Sequence, residues 1–262
     1  MRALRTAATG MAAQQLNVEV ISNNIANMNT VAFKRSRAEF QDLLYQTLEQ
    51  PGAQSSDQGT IVPTGVQVGA GVKAGGVYRI GSQGSMTRTD NRFDLAIEGR
   101  GWFQVLLPSG ETAYTRAGNL ATNDQGQMVT QDGYVIQPAI TIPNDATDVT
   151  IDATGQVQVT QPGATVPNVV GTLELATFVN EAGLSAAGAN TFKETPASGP
   201  AITGTPGANG VGTLLQGYTE SSNVDAVAEI TALIIAQRAY EMNSKVISTA
   251  DNMLGVANQV KS

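Results

Sequence analysis

Apolar and polar positions keep one rhythm at the two ends of the chain and another in the middle. From Leu4 to about Asn27 the sequence is rich in helix formers and contains no Pro. Leu4, Met11, Val18 and Ile25 fall seven residues apart, and Ala8, Gln15 and Ile21 partly fill a second seam position. This is a heptad with one strong stripe and one weak one. The C-terminal segment is stronger: Leu233, Tyr240, Ile247 and Leu254 are again seven apart, and a second stripe runs through Ile235, Met242, Val246, Met253, Val256 and Val260. Ser222 is positioned to cap this helix, with Asp225 three residues on to return the bond and oppose the helix dipole. Residues 223–260 would form a helix of about 57 Å at the standard rise.

A periodic pattern longer than about 25 residues indicates a coiled coil. Two apolar stripes on one helix call for partners on two sides. The N-terminal helix of the same chain supplies one, and its narrow stripe leaves the second side for another molecule. That narrow stripe is marginal alone, so the two terminal helices are expected to fold together on assembly.

Between the ends the helical period disappears. Residues 51–76 are Gly-rich and low in charge, with Val62, Val66, Val68 and Val72 giving partial strand character, as in an extended hairpin. From about residue 77 to 219, short alternating runs such as Phe93–Ile97, Trp102–Leu107 and Thr172–Phe178 are separated by turn signals such as Asp132-Gly133. Residues 195–213, rich in Pro, Gly, Ala and Thr, read as a loop. The expected fold is α+β. Residues 1–30 and 220–262 form a terminal helical domain with a coiled-coil pair, 31–76 a linker and extended β-hairpin arm, and 77–219 an inserted, mainly antiparallel β domain.

Composition narrows the chemistry. Charged residues are 14% of the 262, against about a quarter in an average domain. A net charge of −7, with basic residues concentrated only at Lys34-Arg35-Ser36-Arg37, gives little support for nucleic-acid binding. The chain has no Cys and no His. Thiolate nucleophiles, Cys-based metal sites, serine triads and zinc hydrolysis in their usual forms are therefore excluded. Gly69-Ala70-Gly71 with Gly75 and Gly76 lacks the spacing of a dinucleotide loop. Asp94 and Glu98 share a strand face and could pair as carboxylates, although they flank the turn at Gly99-Arg100-Gly101. Trp102 reads as a core residue. No cofactor or metal is expected. No apolar run approaches bilayer length, so membrane insertion is not expected, and the start of the chain does not read as a cleaved secretory signal.

Five segments carry a resemblance: Ile21–Thr30 with Phe33-Lys34, Asp94–Phe103, Ala113–Gly118, Ser221–Asp225 and Ala236–Lys245. Together and in this order they resemble the rod and hook axial proteins of the bacterial flagellum, over essentially the whole chain. The motif positions are Asn23, Asn24, Asn27, Asn29, Thr30, Phe33 and Lys34 at the N-terminal end, and Gln237, Arg238, Tyr240 and Asn243 at the C-terminal end. Ala38–Thr47 and Gln50–Ser56 look specifically like the distal-rod branch of that family. Ala32 stands where the family usually has Gly, and Ala resists a left-handed backbone. The resemblance implies a structural subunit of a straight, periplasm-spanning shaft in the flagellar basal body. It also implies export through the flagellar type III apparatus without signal cleavage, and contacts with copies of itself, with neighbouring rod and hook-junction proteins and with surrounding ring proteins. The residues expected at the subunit interface are Leu4, Met11, Val18 and Ile25 on the first helix, and Leu233, Ile235, Tyr240, Met242, Val246, Ile247, Met253 and Leu254 on the last. The alternatives are a proximal rod or hook subunit, a secreted β-domain binding module on a helical stalk, and a hydrolase using Asp94 and Glu98.

Overall fold

The computed structural model describes residues 2–52, 64–163 and 166–261. The part of the arm at 53–63, including Ala53–Ser56 and Val62, lies outside the described residues. The chain divides into two compact units. One holds residues 1–26, 36–78 and 225–262, and the other holds 27–35 and 79–224.

The first unit contains helix α1 (Arg2–Ala26), strands β1 (Ser36–Asp42), β2 (Tyr45–Glu49), β3 (Val66–Gly69) and β4 (Val72–Arg79), and helix α2 (Ala226–Lys261). The two helices pack against each other. Their direction follows from two contacts. A Cβ on Gly10 would stand 3.0 Å from Asn243 Nδ2, and Asn24 Nδ2 donates to Glu229 Oε2 at 3.0 Å. Both contacts hold only if the helices are antiparallel in one register. The surfaces that meet are small and partly polar: Ala7, Ala13, Ile21 and Asn24 are buried on α1, and Glu229, Ala236 and Ala250 on α2. Such side chains bring the backbones close, which is why Gly stands at position 10.

The helix start differs from expectation. The first helical residue is Ala226, and Asp225 is its cap. Its Oδ1 accepts from Val227 N at 2.9 Å and Ala228 N at 3.2 Å. These are two of the donors that a helix start leaves unpaired. Ser222 Oγ instead accepts from Val224 N within the preceding turn (3.3 Å).

The arm is a two-stranded ribbon that begins at Ser36, earlier than the Gly-rich stretch suggested. β1 pairs with β4, and β2 pairs antiparallel with β3. It is tied to α1 at two places. Asn24 holds Ser36, and Thr9 Oγ1 accepts from Val72 N at 3.3 Å. Leu43 N donates to Gly71 O, which places that end of the ribbon at Thr9. Seven strand steps from Ser36 to Leu43 cover about 23 Å. Fifteen helical steps from Thr9 to Asn24 cover about 22 Å. The match lets the ribbon run along α1. Gly71 adopts φ +123°, and a Cβ there would meet Thr9 Oγ1 at 2.2 Å, so a side chain would push the ribbon off the helix.

The second unit is built from short strands. They are β5 (Met86–Arg88), β6 (Leu95–Glu98), β7 (Trp102–Leu106), β8 (Thr112–Thr115), β9 (Ala121–Thr122), β10 (Met128–Val129) and β11 (Val135–Gln137), then β12 (Asp148–Ile151), β13 (Gln156–Thr160) and β14 (Asn168–Thr172). The series ends with β15 (Leu175–Thr177), β16 (Ser185–Gly188), β17 (Thr191–Lys193), β18 (Ile202–Gly204), β19 (Thr213–Gln216) and β20 (Tyr218–Glu220). Nine strands form one sheet in the order β16-β17-β8-β7-β11-β10-β9, with β15 also on β7 and β18 on β15. β7 is its centre. One edge pairs with β8, while the other pairs with β15 at Trp102 and Phe103 and with β11 from Gln104 to Leu106. All these pairings are antiparallel. β12-β13-β14 form a three-stranded sheet, and β19-β6 and β20-β5 form two pairs.

Alternation along β7 sends Phe103 and Val105 into the larger core with Leu95, Ile97, Met128, Ile136 and Leu175. Trp102 points to the other face, into a smaller cluster with Tyr114, Phe178, Leu184 and Phe192. There Trp102 and Phe192 meet edge to face with centroids 5.1 Å apart, and Tyr114 and Phe178 do the same at 4.8 Å. Two expectations are refined. The run Thr172–Phe178 is split between β14 and β15, because Leu173 turns aside to donate to Gly155 O. The stretch 195–213 is not loop throughout, since β18 within it pairs with β15.

Candidate assembly surface

α2 carries more apolar surface than α1 covers. At 100° per residue, Ile235, Met242, Val246 and Met253 fall within about 40° of one another. Roughly a quarter of a turn separates them from the side facing α1, marked by Glu229, Ala236, Asn243 and Ala250. Ile235 and Met242 are each 64% exposed and Met253 62%. Val246, Tyr240 and Leu254 are also exposed. Leu233 and Ile247 are half-buried, on the side toward α1. On α1, Leu4, Met11, Val18 and Ile25 are all half-buried and flank the deeply buried positions. The seam within the chain therefore does not run along the Leu4 stripe. Ile235, Met242, Val246 and Met253 thus form an exposed apolar line along α2.

The N-terminal motif residues do three jobs. Thr30 Oγ1 donates to Asn27 Oδ1 at 3.1 Å, closing the turn after α1. Asn24 is 1% exposed and uses its whole amide: Oδ1 accepts from Ser36 N at 2.9 Å, and Nδ2 donates to Ser36 O at 2.8 Å and to Glu229. Lys34, in the second unit, is buried and donates to Glu220 Oε1 at 2.5 Å and to Ser82 O at 2.9 Å. Phe33 is half-buried, while Asn23 and Asn29 are exposed. In the C-terminal motif, Gln237 and Arg238 are exposed, the latter paired with Glu241 one turn on, and Asn243 faces Gly10.

Glu220 gathers the second unit around one carboxylate. Arg116 Nε donates to its other oxygen at 2.6 Å, and the same guanidinium donates to the carbonyls of Gly101, Ile97 and Gly99. Gly84 N donates to Oε1 at 2.9 Å. Burial alone would raise the Glu220 carboxyl. The Arg116 charge, the Lys34 hydrogen bond and the Gly84 amide outweigh it and hold the group below the usual carboxylate range. The backbone joins in, as Ala32 N donates to Glu220 O at 2.7 Å. Ala32 is buried with φ +56°, so the left-handed turn is kept although Ala occupies it. Glu220 and Glu229 escaped sequence reasoning. Neither interrupts an apolar period, and their partners lie 186 and 205 residues away.

Of the two carboxylates considered for catalysis, one is held structurally. Asp94 is buried and its Oδ1 accepts from Asn91 Nδ2 at 2.9 Å, while Glu98 is exposed at the end of β6. Among the described residues no cluster of acidic side chains could hold a metal ion, and no helix is long and apolar enough to cross a membrane.

Helices from opposite ends of the chain pack together, the strands of the second unit lie between them in sequence, and α2 keeps an uncovered apolar line, which is the layout implied by the resemblance to flagellar axial subunits. Three family descriptions match in chain order. "Flagella basal body rod protein" covers residues 4–34, "Flagellar hook protein FlgE/F/G D1 domain" 96–159, and "Flagellar basal body rod FlgEFG protein C-terminal" 215–260. The chain is 69% identical to the flagellar basal-body rod protein FlgG of Caulobacter vibrioides over the full length of both. It is 52% identical to FlgG of Agrobacterium fabrum over 99% of each chain, and 38% identical to FlgG of Bacillus subtilis over 97% of each. The chain belongs to the FlgG family of flagellar basal-body rod proteins.

Proposed function

We propose that the chain polymerises into the distal rod of the flagellar basal body, a stiff shaft that passes motor torque to the hook. The observation that carries this reading is the exposed line Ile235, Met242, Val246 and Met253 on a helix whose adjacent flank already holds α1. Each such side chain contributes roughly 1.5–3 kcal/mol when a neighbour buries it. A head-to-tail contact repeated without closure gives an open helical polymer. Leu4, Met11, Val18 and Ile25 supply the complementary flank on α1. The role is structural and has no catalytic step. The partners are copies of the chain, the rod and hook-junction proteins at its two ends, the rings around it and the type III export apparatus.

The test is an epitope placed in the turn at residues 207–210 and located by immunogold electron microscopy on purified hook–basal bodies. Label on the rod between the inner-membrane ring and the hook is the expected result. Label along the hook or at the base of the rod would move the subunit within the axial structure. A functional tagged protein with no axial label would overturn the reading.

A further inference from the structure

We propose that Asn24 and Glu229 form the register key of the helix pair, and that the same asparagine makes placement of the arm conditional on that register. The rest of the buried seam carries little register information. On α1 it is Ala7, Ala13 and Ile21, and on α2 Ala236 and Ala250. Surfaces of that kind remain compatible when one helix slides by a heptad. Polar groups buried in a helix seam do not, because each must find its partner again.

The consequences of a slip can be read off the register. Gly10 faces Asn243, and Asn24 faces Glu229. Sliding α2 by seven residues in one direction brings Ala236 opposite Asn24 and carries Glu229 past the end of α1. Sliding it the other way brings Ser222, which precedes the helix, opposite Asn24, and leaves Glu229 facing Asn17. Either slip breaks the 3.0 Å bond between two side chains that are each 1% exposed. Only the observed register pairs them.

The coupling to the arm lies in the other bonds of Asn24. Its amide donates to Ser36 O and accepts from Ser36 N, as a neighbouring strand would. Ser36 is the first residue of β1. Asn24 can bridge Ser36 and Glu229 at once only with its side chain fixed in one orientation. When α2 is out of register that orientation loses one of its holds, and the first rung of the arm is released. Two structural elements far apart in sequence thereby report on each other through one side chain.

The experiment uses the full chain, which has no native cysteine. Gly10→Cys with Asn243→Cys is introduced and the protein is assembled into basal bodies. The expected product is an intrachain disulfide, seen as a fast-migrating monomer on non-reducing gels. If this pair fails to cross-link in assembled rods, the register itself is wrong and the proposal falls. Asn24→Leu with Glu229→Leu in that background keeps an apolar seam but removes the key. The expected result is a drop of at least tenfold in the 10–243 cross-link. New cross-links to position 10 should form when Ala236→Cys or Ala250→Cys takes the place of Asn243→Cys. Hydrogen exchange over residues 36–42 should rise in parallel. An undiminished 10–243 cross-link with unchanged exchange in β1 would overturn the proposal. Should the double leucine variant fail to enter the rod, Glu229→Gln decides. It keeps an acceptor for Asn24, so it must assemble and cross-link like the parent, and its failure to do so would overturn the key. Epitope position in the rod is read separately, so an error in the proposed function and an error in the register are distinguishable.

Discussion

Lys34 Nζ and Glu220 Oε1 meet at 2.5 Å with both side chains at most 4% exposed. Lys34 lies just after the first helix and Glu220 just before the last, so this pair closes the chain within the second unit. Arg116, the residue after β8, completes it. Removing one member of such a buried set leaves an uncompensated charge, which costs about 3–5 kcal/mol. Glu220→Ala strands two cations and should destabilise the second unit by that amount. Chemical denaturation followed by fluorescence of Trp102, the only tryptophan in the chain, gives the value. A loss under about 1 kcal/mol would place this pair with ordinary surface ion pairs.

The same cluster sets an acid limit. The folded Glu220 carboxyl sits below its unfolded value, so the unfolded state binds the proton more readily. Its contribution is fully present above the ordinary carboxylate range, near pH ~4.3. It is lost as pH falls through the folded value beneath that. Stability of the second unit should therefore fall more steeply below pH ~4 in the parent than in Glu220→Gln. Denaturation midpoints measured for both proteins between neutral and acid pH test the sign. Equal slopes would mean that another carboxylate governs the acid limb.

Ala32 holds φ +56° at a buried turn. A left-handed non-Gly residue costs about 1–2 kcal/mol, and Gly gives back about 0.4–1 kcal/mol through the entropy of the unfolded chain. Ala32→Gly should stabilise the second unit by about 0.5–1 kcal/mol, net of the two effects. The denaturation midpoint should rise with its slope unchanged. A decrease would show that the methyl group packs more favourably than the strain opposes.

Asp225 caps α2 with one carboxylate oxygen shared by Val227 N and Ala228 N. Asp225→Ala should weaken the helix start by about 1 kcal/mol, whereas Ser222→Ala should leave it unchanged. Amide exchange at residues 227 and 228 separates the two. Faster exchange in the Ser222 variant alone would return the cap to Ser222.

How much of this was legible follows from the range over which each signal acts. Heptads at both ends are local, so α1 and α2 could be read from Leu4–Ile25 and Leu233–Leu254. The alternation around Trp102–Leu106 placed the central strand and its tryptophan in a core. The partners of a strand are not local: β15 joins β7 although Leu175 follows Phe103 by 72 residues, and nothing near Leu175 announces it. Short strands without alternation, such as β16 and β18, carried no signal. The helix pair was read from its large residues, but apart from Ile21, Asn24 and Glu229 its seam is made of Ala7, Gly10, Ala13, Ala236 and Ala250. Close packing of backbones selects small side chains there, and an apolar scan weighs them least. Of the large residues that were legible, Ile235, Met242, Val246 and Met253 are exposed, and Leu233 and Ile247 are half-buried.

That outward line gives the sharpest test of assembly. Met242 is 64% exposed and lies away from α1, so Met242→Asp should leave both units folded. In an assembled interface the same carboxylate would be buried without a partner, where it is strongly disfavoured. The contribution of the methionine, roughly 1.5–3 kcal/mol, would be lost as well. The effect repeats at every subunit along a polymer, so one substitution should abolish rod formation. Leu233→Asp serves as the contrast: Leu233 is half-buried toward α1, so its change should disturb the helix pair as well as assembly. Incorporation into basal bodies is scored by immunoblot of purified particles, and folding by the Trp102 transition of the second unit together with the circular-dichroism transition of the helices in the soluble chain. Loss of incorporation with both transitions unchanged for Met242→Asp locates the contact between subunits on this face of α2. Normal incorporation would move it elsewhere on the chain.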